Sequence, residues 1–411
     1  MGVLTAKMAA SLLTARRLRA HAFILALCLW SVYLWNMSTP GLLDRVGNLK
    51  GTDFLHFYTL GSLALDHRGD DLYSVQAQSA VAAQRVPAAA GIVYLPLYPP
   101  QVSLFFAPFA RLSYTVALIF WLAFSSLVYG LCCYAIWRTC PNLRSHGLTV
   151  LNLTLAFPAF WHLIAWGQTS ALALAFFTLA FIALRAEHQL FAGLALGCLI
   201  FKPQLAIAAA IVFVVTLHWK IIAGAILSAA AQLIGAWLYY GPGPLRAWTR
   251  MLLNAPNLLP MLEPRLYQTH SLRTFWAMLI PWPSVSLALY LLTALLVAAM
   301  TIACWRSRLP LSVRYSALLF ATVLLAPHLT VYDLVILAPA FLLLSDWIIA
   351  QPDQPASPNL KLLLYLAFVL PLLGPLARWT HLQLSVPVMA ALLYAMWKLG
   401  RKSVPLPNSL N

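Results

Sequence analysis

Apolar runs close to the length that crosses a bilayer recur along this chain. A spanning helix needs about 20 mostly apolar residues, within a range of about 17–25. Between these runs only 9% of all residues are charged, while 62% are hydrophobic; soluble domains carry about 25% charged residues. A soluble fold would lack the polar side chains to cover its surface. The pattern predicts an all-α polytopic membrane protein of about 12 transmembrane helices, as one domain over residues 1–411. The runs fall near 21–37, 115–137, 147–163, 170–185, 189–201, 203–217, 221–240, 284–304, 315–327, 333–350, 361–377 and 384–398. The pair flanking Lys202 also reads as one long helix broken at Pro203. The stretch 97–110, after Pro99 and Pro100, is short for a span and reads as a re-entrant segment or a true span.

The formal net charge is +16. Nucleic acid is an unsuitable partner, because the charges are spread thinly between apolar segments instead of forming a basic domain. Topology explains them better. With a cytoplasmic N-terminus and alternating helices, fifteen of the 26 Lys/Arg residues fall in short cytoplasmic loops and tails, from Lys7 and Arg16 to Arg401 and Lys402. The remainder fall mainly in two long segments, 38–114 and 241–283, and long translocated loops largely escape the charge rule. Seven of the ten acids lie on that second, extracytoplasmic side. So do six polar or proline-broken motifs: GTDFLHFY, YLPLYPP, WGQTS, FKPQ, YQTHSL and PHLTVYD. Their gathering on one face predicts one assembled site. Both termini are expected in the cytoplasm, with an uncleaved first helix as anchor, since no small-residue cleavage site follows Trp35. The six cysteines form no CxxC and no disulfide framework.

Asp53 is the first candidate. It opens an aromatic stretch, Asp53-Phe54-Leu55-His56-Phe57-Tyr58, after the first helix. A carboxylate near the bilayer centre costs about 2.5–3.5 kcal/mol, so it should be paired, solvated or useful. An N-cap at Thr52 or Asp53, on an apolar helix over 53–65 lying at the membrane interface, fits the local sequence equally well. Tyr94 to Pro100 forms either a rigid groove wall or an interfacial aromatic belt. Gln168 offers hydrogen bonds to a polar ligand, or ends a plain helical hairpin. Lys202 stands within some 28 apolar residues. Beside Pro203 it can receive an anion such as a phosphate, unless it snorkels to the interface. His270 and Arg273 in one loop, and His328 with Asp333 in another, complete the face. Walker A, GxGxxG, HExxH and GxSxG motifs are absent. No acidic-x-acidic clamp for a nucleotide sugar occurs, so neither a catalytic metal nor a cofactor is indicated.

Taken in order, these motifs resemble glycosyltransferase family 87, the bacterial polyprenyl-phosphate-mannose-dependent mannosyltransferases of the C-type fold. The resemblance rests on Asp53-Phe54…Tyr58, Tyr98-Pro99-Pro100, Gly167-Gln168, Lys202-Pro203 and Pro327-His328. His56 and Phe57 intervene where the family usually carries a second aromatic. The resemblance implies a C-type fold whose large first extracytoplasmic loop carries interfacial helices. It also implies a multi-pass protein of the bacterial inner membrane that uses a polyprenyl-phosphate sugar donor and a glycolipid or glycan acceptor. Transfer would invert the anomeric carbon, with Asp53 as general base. Tyr58, Tyr98, Gln168, Lys202, His270, Arg273 and His328 would contact the substrates, His328 being favoured for the phosphate. Two other classes stand beside this one: a transporter or flippase of an anionic or lipid-linked substrate, and an inactive partner in glycan assembly.

Overall fold

A computed structural model describes residues 10–263, 265–352 and 356–402. Lys7, one of the residues used to assign the cytoplasmic side, lies outside them. Among the described residues the protein is all-helical, and its only β-contacts are two isolated bridges. Helix α1 (Ala15–Met37) leads into the first long loop, which holds α2 (Thr52–Leu65), α3 (Val75–Arg85) and α4 (Gln101–Phe106). Then follow α5 (Tyr114–Arg138), α6 (Gly147–Leu155), α7 (Pro158–Trp166), α8 (Ser170–Arg185), α9 (Gln189–Gly197), α10 (Ile207–Val215) and α11 (Trp219–Tyr240). The second long loop carries α12 (Pro242–Leu262) and α13 (Leu272–Leu279). The chain finishes with α14 (Pro283–Arg306), α15 (Leu311–Leu325), α16 (Ala338–Ala350), α17 (Ser357–Val369), α18 (Ala377–Thr380) and α19 (Ser385–Lys402).

Six helical segments are long and apolar enough to cross a membrane, and a seventh arises if the pair bent by 45° around Phe157 is one span. Segments 170–185, 189–201 and 311–325 are shorter apolar helices. The difference from about twelve comes partly from length, since 170–185 and 311–325 are unbroken but have only 16 and 15 residues, and partly from proline and one-turn irregularities. Pro158 starts α7 after the bend, since its ring cannot continue the hydrogen bonding of α6. Lys202 leaves helical geometry (φ −135°, ψ 70°), and 3₁₀ turns at Cys198–Phe201 and Pro203–Leu205 flank it. The region thus follows the broken-helix reading. Segment Val331–Leu337 is also 3₁₀, but it runs on into α16 and the two together form one of the six candidate spans.

Helix α15 forms the centre: every residue from Tyr315 to Leu325 is buried. The periphery is different. Leu34 on α1, Ile226 and Leu238 on α11, and Leu291 and Leu295 on α14 expose large apolar side chains. Such continuous apolar faces suit lipid, not water.

The first loop corrects two expectations. Helix α2 does not lie on a surface: Phe54 to Ala64 are all buried. Phe57 stacks on Phe106 with centroids 4.9 Å apart, and Phe54 stacks on Trp121 at 6.2 Å. Gly61 allows α4 to lie against α2, for a Cβ there would come 2.4 Å from Phe106 O. The stretch 97–110 is no span. It folds into α4 and a 3₁₀ turn at Phe109–Arg111, both packed on α2. Apolar residues on every face of α2 reflect enclosure by protein.

Candidate active site

Asp53 is placed by its backbone and not by capping. The helix begins at Gly51 (φ 66°), and neither the Thr52 nor the Asp53 side chain closes the first turn. Tyr114 Oη donates to Lys50 O (2.8 Å) and Gly51 O (2.9 Å), which fixes the turn just before the carboxylate. Tyr94 Oη donates to Thr52 O from the other side. Asp53 is half-buried. Its Oδ2 accepts from Gln168 Nε2 at 2.6 Å. Burial pushes its pKa up to about 6, against the opposing pull of the Gln168 bond and the nearby Lys202 charge.

Gln168 reaches Asp53 because Gly167 turns left-handed (φ 71°) at the end of α7. Any side chain at 167 would press on Phe54, since an added Cβ would lie 2.8 Å from Phe54 Cβ. Trp121 Nε1 donates to Gly167 O at 2.9 Å and holds the turn from α5. Gln168 Nε2 also donates to Tyr332 Oη at 3.2 Å.

Lys202 is buried, and its charge is already matched. Its Nζ lies 2.7 Å from Asp333 Oδ1 and 3.1 Å from Ser170 Oγ, with the Tyr332 ring 5.3 Å away. Asp333 is saturated. Oδ1 accepts from Lys202 and from Ser170 Oγ (2.5 Å), while Oδ2 accepts from Thr330 N (3.3 Å) and Thr330 Oγ1 (3.2 Å). The two carboxylates therefore differ in kind. Asp333 is spent on neighbours, and Gln168 is the one side chain bonded to Asp53 among the described residues. Tyr98 stands close enough to Lys202, Asp333 and Asp53 to feel their charges. Its ring packs edge-on against His56, which stacks on Tyr94 with centroids 4.9 Å apart.

A second polar cluster forms around Glu263. Its Oε1 accepts from His328 Nδ1 at 2.6 Å, and its Oε2 pairs with Arg273, which also donates to Pro327 O. Burial would raise the pKa of Glu263, but the His328 and Arg273 contacts outweigh it and hold the group below the ordinary range. The clusters share one short segment. His328 meets Glu263, Tyr332 meets Gln168, and Asp333 meets Lys202. An isolated bridge, Thr269 to Thr330, ties this segment to the second long loop, and His270 N donates to Leu329 O at 3.0 Å.

Two expected substrate contacts go elsewhere. Tyr58 points away from Asp53; its Oη donates to Leu112 O at 2.8 Å and braces the entry to α5. His270 is buried with Nδ1 2.7 Å from Ser385 Oγ. Burial first, and then His162, hold its pKa at about 3, so it supplies no positive charge near neutral pH. Lys202 belongs to the site as half of an ion pair instead of a free anion receiver. Sequence reasoning left Glu263 without a role and Asp333 without its partner. A signal for Asp333 was available: a lysine buried among apolar residues requires a counter-ion, and Asp333 is an acid at the mouth of an apolar run.

A multi-pass helical membrane protein with a half-buried carboxylate beside a saturated ion pair is what these observations define. The family model of glycosyltransferase family 87 matches residues 97–330, more than half of the chain, and the protein belongs to that family. It is accordingly a membrane glycosyltransferase. No curated protein and no solved structure matches the chain. Asp53 precedes the matched region, but Gln168, Lys202 and His328 lie inside it.

Proposed function

We propose that the protein transfers a sugar, mannose by family resemblance, from a polyprenyl-phosphate donor to a hydroxyl of a glycolipid or glycan. Asp53 is the general base. The observation that carries this reading is the contrast between Asp53 and Asp333: one carboxylate is half-buried with a single side-chain bond, the other fully engaged. As the acceptor oxygen bonds to the anomeric carbon, its proton passes to Asp53. The bond from that carbon to the phosphate oxygen breaks, and the lipid phosphate leaves with the electron pair. Attack opposite the leaving group inverts the centre. A base with a pKa near 6 remains ionised at neutral pH and accepts a proton more readily than an ordinary aspartate.

Positive charge and hydrogen-bond donors must meet the departing phosphate. Arg273 and His328, both partly exposed around buried Glu263, are assigned that role. Tyr98 and the His56–Tyr94 stack supply an apolar wall for the sugar. The site faces the extracytoplasmic side, with both termini cytoplasmic, as the Lys/Arg distribution favours; the bacterial inner membrane follows from family resemblance alone. Family membership favours transfer over the transport and scaffold readings. Transfer of radiolabelled sugar from polyprenyl-phosphate-mannose in membranes, wild type beside Asp53→Asn, tests the assignment. Label should enter a lipid or polymer fraction with the wild type and fail to do so with the variant. Equal transfer by both would remove Asp53 as the base.

A further inference from the structure

At the end of the bundle away from Asp53 lies a slot of about 610 Å³, within the range of ligand pockets. It is framed by the residues leading into α1, by α6, and by α16 and α17. Phe157, Phe341 and Phe368 form its apolar floor, with ring centroids 5.4–5.7 Å apart. Along α16 the lining runs from Ala338 to Ile349. At 1.5 Å per residue that is about 16 Å, close to half of a hydrocarbon core about 30 Å thick. Tyr129, which lines the slot, lies fifteen residues along α5 from Tyr114 at the Asp53 turn, or about 22 Å. The slot is thus one leaflet deep and separate from the carboxylate site.

Its rim is basic. Lys361 and His146 line it directly, and Arg19 donates to the lining residue Thr149 (3.2 Å). No carboxylate lines it among the described residues. Asp346, also on α16, instead accepts from Asn142 N (2.7 Å) and Leu143 N (3.2 Å). An apolar interior as deep as a leaflet, under a cationic rim, matches an amphiphile with alkyl chains and an anionic head. We propose that the slot binds an anionic glycerophospholipid, its acyl chains against the phenylalanine floor and its phosphate beside Lys361 and Arg19. This lipid is distinct from the sugar donor, whose phosphate belongs at the Asp53 end, so the inference does not depend on the transferase mechanism.

The test uses the full-length protein in detergent with a phosphatidylglycerol bearing a diazirine in its acyl chain. Native mass spectrometry should show retention of the probe in preference to the matching phosphatidylcholine. Photolysis should label peptides carrying Phe341 and Phe368. Leu342→Trp fills the slot and should lower retention at least tenfold; Ser345→Trp provides a second filling variant if the first fails to fold. Lys361→Gln should abolish the preference for the anionic lipid. Labelling confined to other peptides, undiminished retention by a folded filling variant, or equal retention of both lipids by wild type would overturn the proposal. Probe uptake only after removal of residues 2–9 would overturn it too, marking the slot as a seat for the chain's own N-terminus.

Discussion

Gln168 Nε2 donates to Asp53 Oδ2 at 2.6 Å, joining the end of α7 to the start of α2 across 115 residues. This bond holds one carboxylate oxygen of the proposed base and partly offsets the effect of burial on its acidity. It favours the charged carboxylate, whereas burial disfavours it.

A pH profile should expose that balance. If ionised Asp53 takes the proton, kcat/KM for transfer falls tenfold per unit as pH drops below about 6. Gln168→Leu removes a contact that lowers the pKa, so the acidic limb should move to higher pH. An unmoved limb would show that another group controls it.

Asp53→Asn should reduce transfer by about 10²–10⁴-fold, the usual contribution of a general base. Stability should respond in the opposite sense. The folded-state pKa of Asp53 is raised, so its contribution is fully present below the unfolded value near 4 and is lost as pH rises through about 6. At pH 7.5 the neutral asparagine variant should therefore melt no lower than wild type. Thermal unfolding in detergent measures this.

Gly167→Ala combines a left-handed backbone with a Cβ only 2.8 Å from Phe54 Cβ. Strain of this kind costs about 1–3 kcal/mol. The variant should melt lower and lose transfer together, because the turn that aims Gln168 shifts. Full activity at a lowered melting temperature would separate the turn from the chemistry.

Lys202→Met and Asp333→Leu each leave a buried charge unpaired, which costs about 3–5 kcal/mol. The double variant should regain much of that stability, and its melting temperature beside those of the single variants gives the coupling. Transfer should stay impaired in the two variants that lack Lys202, since its charge also moderates Asp53.

Glu263→Gln removes the charge that His328 and Arg273 share. If these two meet the donor phosphate, the variant should raise KM for the lipid donor more than it lowers kcat. A donor KM equal to wild type would dissociate the Glu263 cluster from phosphate binding.

Much of this arrangement could be read from residue order, and the physical limits of that reading are clear. Gln168, Lys202 and Tyr98 stand near Asp53, as one-sided gathering of the polar motifs predicts. The helix at 170–185 needs no adjustment, for it is bounded by polar residues and unbroken by proline. Tyr58 was misplaced because, in a helix apolar on all sides, periodicity does not tell which face meets the cleft. His270 resembled a cation until burial beside Ser385 and His162 made it neutral. Glu263 and Asp333 meet His328 and Lys202 across 65 and 131 residues; residue order says that a buried lysine needs a counter-ion but does not say which acid supplies it.

Enclosure of α2 also bears on how the protein is made. Asp53 emerges early, but Gln168 follows 115 residues later, and the ion pair beside it closes only with Asp333. If the helices enter the membrane in order, the segment that carries the proposed base waits, unsealed, for those that come after it. A nascent chain that stops short of Asp333 holds its carboxylate without the surroundings that tune it. Competence therefore arrives late in synthesis, as a property of the nearly completed chain.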